Sequence, residues 1–341
     1  MRKVDNPKNR FEKAEVVREP GEENLALLHV HEERSKSILS ENDSPDIGFR
    51  FSINPYRGCQ HACAYCYARP SHQYWGFGAG TDFEREIIVK VNAKELLLEA
   101  FERPSWKGES ITFSGNTDCY QPLEGRYKLT QGLLEICLQY RNPVAIITKS
   151  ALITRDIDLL AELARRARLR VFVSIPFADD AGGRAIEPGA AAIHRRFEAL
   201  EALSSAGIET GVAIAPVMPG LNDEDIPEVL ARAKAAGARH AFCTLLRLPA
   251  EVGPVFLSRI REALPLRADK IEHAVREMRG GELYDARWGE RMRGQGPRWQ
   301  TIETLFHLQC KRLGFGERRM EPAAEPEATT FERPSAQLKL F

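Results

Sequence analysis

The chain has 341 residues, 43% of them hydrophobic, which suffices for one large α/β domain with extensions or for two ordinary domains. Its 48 basic and 48 acidic residues cancel to zero formal charge, which excludes strong long-range attraction to nucleic acid or to an anionic membrane and leaves any polyanion site to a local patch. No run approaches the roughly 18 apolar residues of a membrane span, and the N-terminal MRKVDNPKNRFEK has no apolar core of signal-peptide length, so the expected setting is cytoplasmic, without membrane contact. Seven cysteines, an odd number without a secretion signal, point to thiols, metal ligands or catalysis instead of a disulfide framework.

Residues 1–48 are charged and weakly periodic, which predicts a loosely ordered N-terminal extension. From residue 49 short β-branched runs alternate with segments of helical period. The runs are FRFSIN at 49, ITF at 111, VAIIT at 144, RVFVSIP at 170, ETGVAIAPV at 209 and HAFCTLL at 240. Between them lie stretches such as NAKELLLEAFE, TQGLLEICLQY and DEDIPEVLARAKAAG. Such alternation predicts six βα units over residues 49–250, as an incomplete β/α barrel or an open doubly wound sheet. Both place chemistry at the C-terminal ends of the strands. Residues 251–316 read as a helical extension interrupted by RGQGPRW, and 317–341 as a polar, flexible tail.

The most informative stretch follows the first strand. NPYRGCQHACAYCYARP sets Cys59, Cys63 and Cys66 in a C-x3-C-x2-C run. Three thiolates from one loop can hold three corners of an iron–sulfur cube and leave one iron open to a ligand. The competing reading is structural zinc, with His61 or His72 as fourth ligand.

This loop resembles that of the radical S-adenosylmethionine (radical SAM) superfamily, whose cluster motif C-x3-C-x-aromatic-C follows the first strand of a six-unit partial barrel; Tyr65 fills the aromatic position. The resemblance favours the partial (β/α)6 TIM-like barrel. It implies a 4Fe-4S cluster and S-adenosylmethionine as cofactors, a one-electron donor such as flavodoxin or ferredoxin, and reductive cleavage that yields methionine and a 5′-deoxyadenosyl radical. It also implies that Tyr65 lies beside the adenine of the cofactor. The glycine-bearing turn of the second strand is matched by Gly115, Asn116 and Thr117, with Asp118 as the nearby acid, though it departs from the commoner Gly-Gly-Glu form. At the ends of the third and fourth strands, Lys149 offers a cation for the cofactor carboxylate and Ser174 a hydroxyl for a ribose or carboxylate.

Within the superfamily, NPYRGCxHxCxYCYARP with TDCYQPLE is most similar to the group related to spore photoproduct lyase, a DNA repair enzyme. Asn116 stands where that lyase carries its hydrogen-donating cysteine, while Cys119 and Tyr120 follow and are the candidate hydrogen-delivering residues. Core packing accounts for Cys137, Cys243 and Cys310.

DARWGERMRGQGPRW places Arg287, Arg291, Arg293 and Arg298 beside Trp288 and Trp299, guanidinium groups for phosphates and an indole for stacking on bases. The last residues, Gln337-Leu338-Lys339-Leu340-Phe341, match the Q-L-x-L-F peptide with which bacterial replication and repair proteins dock to the DNA sliding clamp: an amide orients, and Leu338, Leu340 and Phe341 bring apolar area. Together these features predict a clamp-tethered radical enzyme acting on DNA. The alternatives are the same chemistry on RNA, protein or a metabolite, and a non-catalytic zinc-stabilised nucleic-acid-binding module.

Overall fold

A computed structural model describes residues 27–317 and 328–334. Its strands, in chain order, are β1 (His29–Glu33), β2 (Leu39–Glu41), β3 (Phe51–Ile53), β4 (Tyr56–Arg57), β5 (Glu86–Lys90), β6 (Ile111–Phe113), β7 (Val144–Thr148), β8 (Leu169–Ser174), β9 (Glu209–Val217), β10 (His240–Leu245) and β11 (Gly316–Glu317). The order β3-β6-β7-β8-β9-β10, each pair parallel, contains all six expected strands in sequence order, the topology of a partial barrel. The curved sheet does not close among the described residues: β2 caps one edge antiparallel to β3, and β11 adds to the other beside β10.

Period-two alternation separates the faces. In β7, Ile146 packs in the core while Ala145 and Ile147 line the barrel interior. The crossover helices cover the outer face with apolar stripes. Ala93–Glu102 buries Ala93, Leu97 and Phe101; Ile226–Ala235, with proline in its first turn, buries Ile226, Val229, Leu230 and Ala233. These spacings form one helical stripe, and each large side chain buried there stabilises the layer by about 1.5–3 kcal/mol.

Two features differ from the expectations. Residues 27–48, read as loosely ordered, supply β1 and β2; β1 lies parallel to β5, with β4 antiparallel on its other side, in a small separate sheet. Only β5 of these shows a continuous apolar run, so β1 is decided by its neighbour. Beyond the barrel, the residues expected to be helical form Val252–Ala263, Ala268–Glu277 and Gly296–Leu313. Finally, part of the tail is pinned. Phe331 packs edge-on against Phe101 and stacks on Tyr140, the Glu332 amide donates to Tyr140 O at 2.9 Å, and Arg333 donates to Phe101 O and Arg103 O. Few apolar residues suffice because main-chain bonds carry the contact.

Gly108 makes that contact possible: its φ is +77°, and a Cβ there would fall 2.1 Å from the Phe331 Cβ. Gly108→Ala is expected to expel residues 328–334 and to destabilise the protein by roughly 1–3 kcal/mol. Hydrogen exchange at the Glu332 amide should accelerate by an order of magnitude or more while the β8 and β9 amides keep their protection.

Candidate active site

The loop between β4 and the short 3-10 helix Arg69–Trp75 has no ladder of its own, so its buried backbone must find partners elsewhere. Gly58 opens it with φ +73°, where a Cβ would meet Phe83 O and Ile87 Cδ1 at 2.9 Å, and Ala62 also adopts a left-handed φ. The Cys59 amide donates to Phe83 O, Ala64 N–H to Ile186 O, and Gly189 N–H to His61 O. Gln121 accepts from the Gln60 amide and donates to Gly58 O. The central brace is Arg69, fully buried, which donates to Cys63 O at 2.8 and 3.1 Å, to Ala79 O and Gly80 O, and pairs with the buried Glu84 at 2.6 Å.

Held this way, Cys59, Cys63 and Cys66 all line one cavity of about 1860 Å³ that fills the barrel interior. Burial pushes the Cys59 thiol up to about 12 and raises Cys63 and Cys66 as well, so a bound cation is needed to keep them as thiolates. Among the described residues no three or more His, Cys, Asp or Glu side chains gather as they would around a single ion, whereas a cluster spreads its thiolates over separate irons. The two histidines proposed for zinc are placed differently, His61 on the cavity wall and His72 away from it. His61 Nδ1 lies 3.3 Å from Asp118 Oδ2. His72 lies off the cavity, stacked on Phe77 and edge-on to Phe83, where burial holds its imidazole down at about 4. Three thiols on the wall of an open cavity fit a cluster with one corner free.

Tyr65, Asn116, Thr117, Lys149 and Ser174 line the same cavity. Tyr65 hydroxyl donates to Glu187, which is paired at 2.6 Å with the buried Arg196; Arg196 also donates to Ser174 O. Lys149 Nζ lies 5.7 Å from the Tyr65 ring centre. Burial works against the charge on Lys149, but Cys63 and Glu187 outweigh it and the net direction is upward. Asp118 accepts from Thr148 Oγ1, the Lys149 amide and the Tyr120 amide. Burial would raise its carboxyl, yet His61 and these donors hold it down at about 2. Gly115 stands just behind the wall, where a Cβ would approach Ser52 to 2.6 Å. Thr117 Oγ1 and the Asn116 amide are spent on Tyr56 O and Asn54 Oδ1.

Cys119 and Tyr120 are corrected by their placement: both are fully buried in the apolar core and neither lines the cavity. The turn that aims Asp118 at the site, with Ser114 at φ +71° and Thr130 Oγ1 bonded to Cys119 O, directs the next two side chains away from it. Cys137 and Cys310 are buried in the core and Cys243 packs against it, as expected.

The basic and aromatic segment divides. Trp288, 57% exposed, and Arg291 line the cavity, with Arg291 over the indole at 4.2 Å. Arg291 is also held by Asp46 at 2.6 Å and by Ser44. Arg287 pairs with Asp285 and Arg298 with Glu277, Arg293 is exposed, none of the three lines the cavity, and Trp299 is buried. Gln337, Leu338, Leu340 and Phe341 lie outside the described residues. Sequence reasoning missed Tyr67 and Arg247, both on the cavity wall. Arg247 stands just past the sixth strand, the same kind of position that singled out Lys149 and Ser174.

A model described as the radical SAM superfamily matches residues 53–233. The uncharacterized protein Rv2578c of Mycobacterium tuberculosis is 38% identical over 214 residues, 62% of this chain and 63% of that one, so the chain spans less than two thirds of this relative's length. A radical SAM Nalpha-GlyT isomerase of Pseudomonas phage M6 is 25% identical over 211 residues, 61% of this chain and 42% of that protein. Among solved structures, spore photoproduct lyase complexed with dinucleoside spore photoproduct superposes with a TM-score of 0.57 at 15% identity, over 84% of this chain and 80% of that one. That likeness is one of fold. No described helix is long and apolar enough to cross a membrane.

The Arg69–Glu84 pair gives this site its testable weak point. Glu84→Gln leaves a buried guanidinium without its counter-charge and is expected to cost about 3–5 kcal/mol. Thermal unfolding of the purified variant should show the loss, and iron incorporation per chain should fall with it.

Proposed function

The chain belongs to the radical SAM superfamily, and from that premise we propose that it is an enzyme that cleaves S-adenosylmethionine reductively and acts on a base of DNA, in repair or modification. The observation that carries the reading is the convergence of Cys59, Cys63 and Cys66 with Tyr65 and Lys149 on one cavity at the C-terminal ends of parallel strands. Membership implies a 4Fe-4S cluster and S-adenosylmethionine. Bound there, they would supply a 5′-deoxyadenosyl radical, formed with methionine when one electron breaks a carbon–sulfur bond.

The protein's own part is placement. Cys59, Cys63 and Cys66 would hold the cluster, and the Arg69 brace would keep the loop from shifting when it binds. Lys149 would take the cofactor carboxylate, and the Tyr65 ring, fixed by Glu187 and Arg196, would flank the adenine. Ser174 would offer its hydroxyl to the ribose or carboxylate. The barrel walls would keep water from a reactive intermediate. Trp288 on the wall supplies a stacking face, with Arg291 packed over its indole, and the substrate named with the structural neighbour, a dinucleoside photoproduct, accords with a DNA base. Gln337, Leu338, Leu340 and Phe341 would bind the DNA sliding clamp, which localises a neutral enzyme on DNA by raising its effective concentration.

Release of 5′-deoxyadenosine by the anaerobically reconstituted, reduced protein tests the chemistry. It should depend on Cys63, falling at least 100-fold in Cys63→Ala, and should rise with irradiated or intact DNA. Release that ignores DNA would move the substrate to RNA, protein or a metabolite; no release from protein with a verified cluster would refute the catalytic reading. The clamp assignment predicts that deleting residues 337–341 abolishes binding to the purified sliding clamp in surface plasmon resonance without changing 5′-deoxyadenosine release.

A further inference from the structure

Most guanidinium groups near the cavity are already satisfied by carboxylates or carbonyls. Arg196 pairs with Glu187, Arg291 with Asp46, and Arg279 donates to the carbonyls of Leu246, Glu290, Arg291 and Arg293. Arg247 differs. It lines the cavity two residues past β10, its Nε is buried without a hydrogen-bond partner, and its one hydrogen-bond contact is the weak acceptor Met292 Sδ at 3.3 Å from Nη1. No described carboxylate forms an ion pair with it. The chain carries no surplus of basic residues, so excess positive charge does not explain a half-buried guanidinium left without an anion.

The group is nevertheless held in place. Its guanidinium lies over the Tyr67 ring at 5.6 Å, and the Tyr67 hydroxyl is fixed by Gly115 O at 2.8 Å. Behind it, the Leu245 amide donates to Met292 O and Arg279 ties Leu246 O to the loop that carries Met292. A planar donor fork with its Nη2 unused, seated on an aromatic ring that is 47% exposed, is preorganised for a tetrahedral oxyanion. Lys149, beside Tyr65, is suited to the cofactor carboxylate.

We propose that Arg247 is a substrate-positioning residue that binds the phosphodiester beside the target base, with Tyr67 as the platform that orients its guanidinium. This rests on the nucleic-acid reading of the same cavity. The phosphate would satisfy the fork and place the adjoining base at the mouth of the barrel, so affinity would depend on the backbone charge as well as on the base.

The test is calorimetric titration of the anaerobic, cluster- and cofactor-loaded protein with thymidylyl-thymidine and with its uncharged methylphosphonate analogue. Wild type should prefer the phosphodiester by roughly 10- to 100-fold, the scale of a charge-assisted hydrogen-bonded contact. Arg247→Gln should erase that preference, Arg247→Lys should retain part of it, and affinity of Arg247→Gln for S-adenosylmethionine should stay within about twofold of wild type. Survival of the preference in Arg247→Gln overturns the inference, and so does an equal loss of S-adenosylmethionine affinity, which would assign the guanidinium to the cofactor carboxylate. If wild type binds both dinucleotides equally, the nucleic-acid reading stands and the role of Arg247 falls; if it binds neither, both fall. Because Arg247→Lys keeps the charge and the ring contact, a folding defect confined to Arg247→Gln cannot imitate the expected series.

Discussion

The site depends on one buried cation. Arg69 has no access to water, and its charge is answered by Glu84 and by main-chain oxygens of the loop it supports. A segment that places three cysteines within eight residues is too short to form a sheet or helix of its own around them, so its carbonyls would be buried without donors. Arg69 resolves that conflict at Cys63 O, and Gly189 and Gln121 resolve it at His61 O and Gly58 O. A guanidinium suits this role because its fixed, planar donors reach several acceptors at once. The desolvation cost of burying it is offset by the Glu84 carboxylate beside it together with these acceptors.

The loop is therefore shaped by elements far from it in sequence. Gly189 follows the helix Asp180–Ile186, and a Cβ there would fall 2.0 Å from Gln60 O, so the turn must approach the cysteine loop without a side chain. The same turn carries Glu187, which fixes the Tyr65 hydroxyl and is answered by Arg196 from the helix Ile193–Ser205. The fourth βα unit thus positions an aromatic ring contributed by the first. Asp118 does the same for the second and third units, joining the end of β6 to Thr148 and Lys149 at the end of β7. These polar links are satisfied within the protein, whereas Lys149 and Arg247 line the cavity without an ion pair among the described residues, in a chain of zero net charge.

Local pattern carried the architecture a long way. Six apolar runs became six parallel strands because burial on both faces demands continuous β-branched stretches, and the intervening helical periods became the covering layer. The cysteine spacing and Tyr65 were equally legible, since a loop that must present three thiols on one wall leaves a short-range signature. Lys149 and Ser174 were read from strand-end position, and the cavity does receive them. The same strand-end position is held by Arg247, two residues past β10.

Chain chemistry alone determined the topology class, the thiol loop and the charge balance, because each is written in residues close together in sequence. Tertiary structure decided which polar groups remain available for chemistry. Cys119 and Tyr120 look reactive beside Asp118, yet one turn sends the acid to the cavity and its neighbours to the core. Arg291 and Arg247 look alike as text, yet Asp46 from the N-terminal segment satisfies the first, while the second has only a thioether and a ring. Phe331 reads as part of a polar tail until Gly108 leaves room for it beside Phe101. In each case the deciding partner is distant in sequence, and long-range desolvation and pairing leave no periodic trace in the residues they act upon.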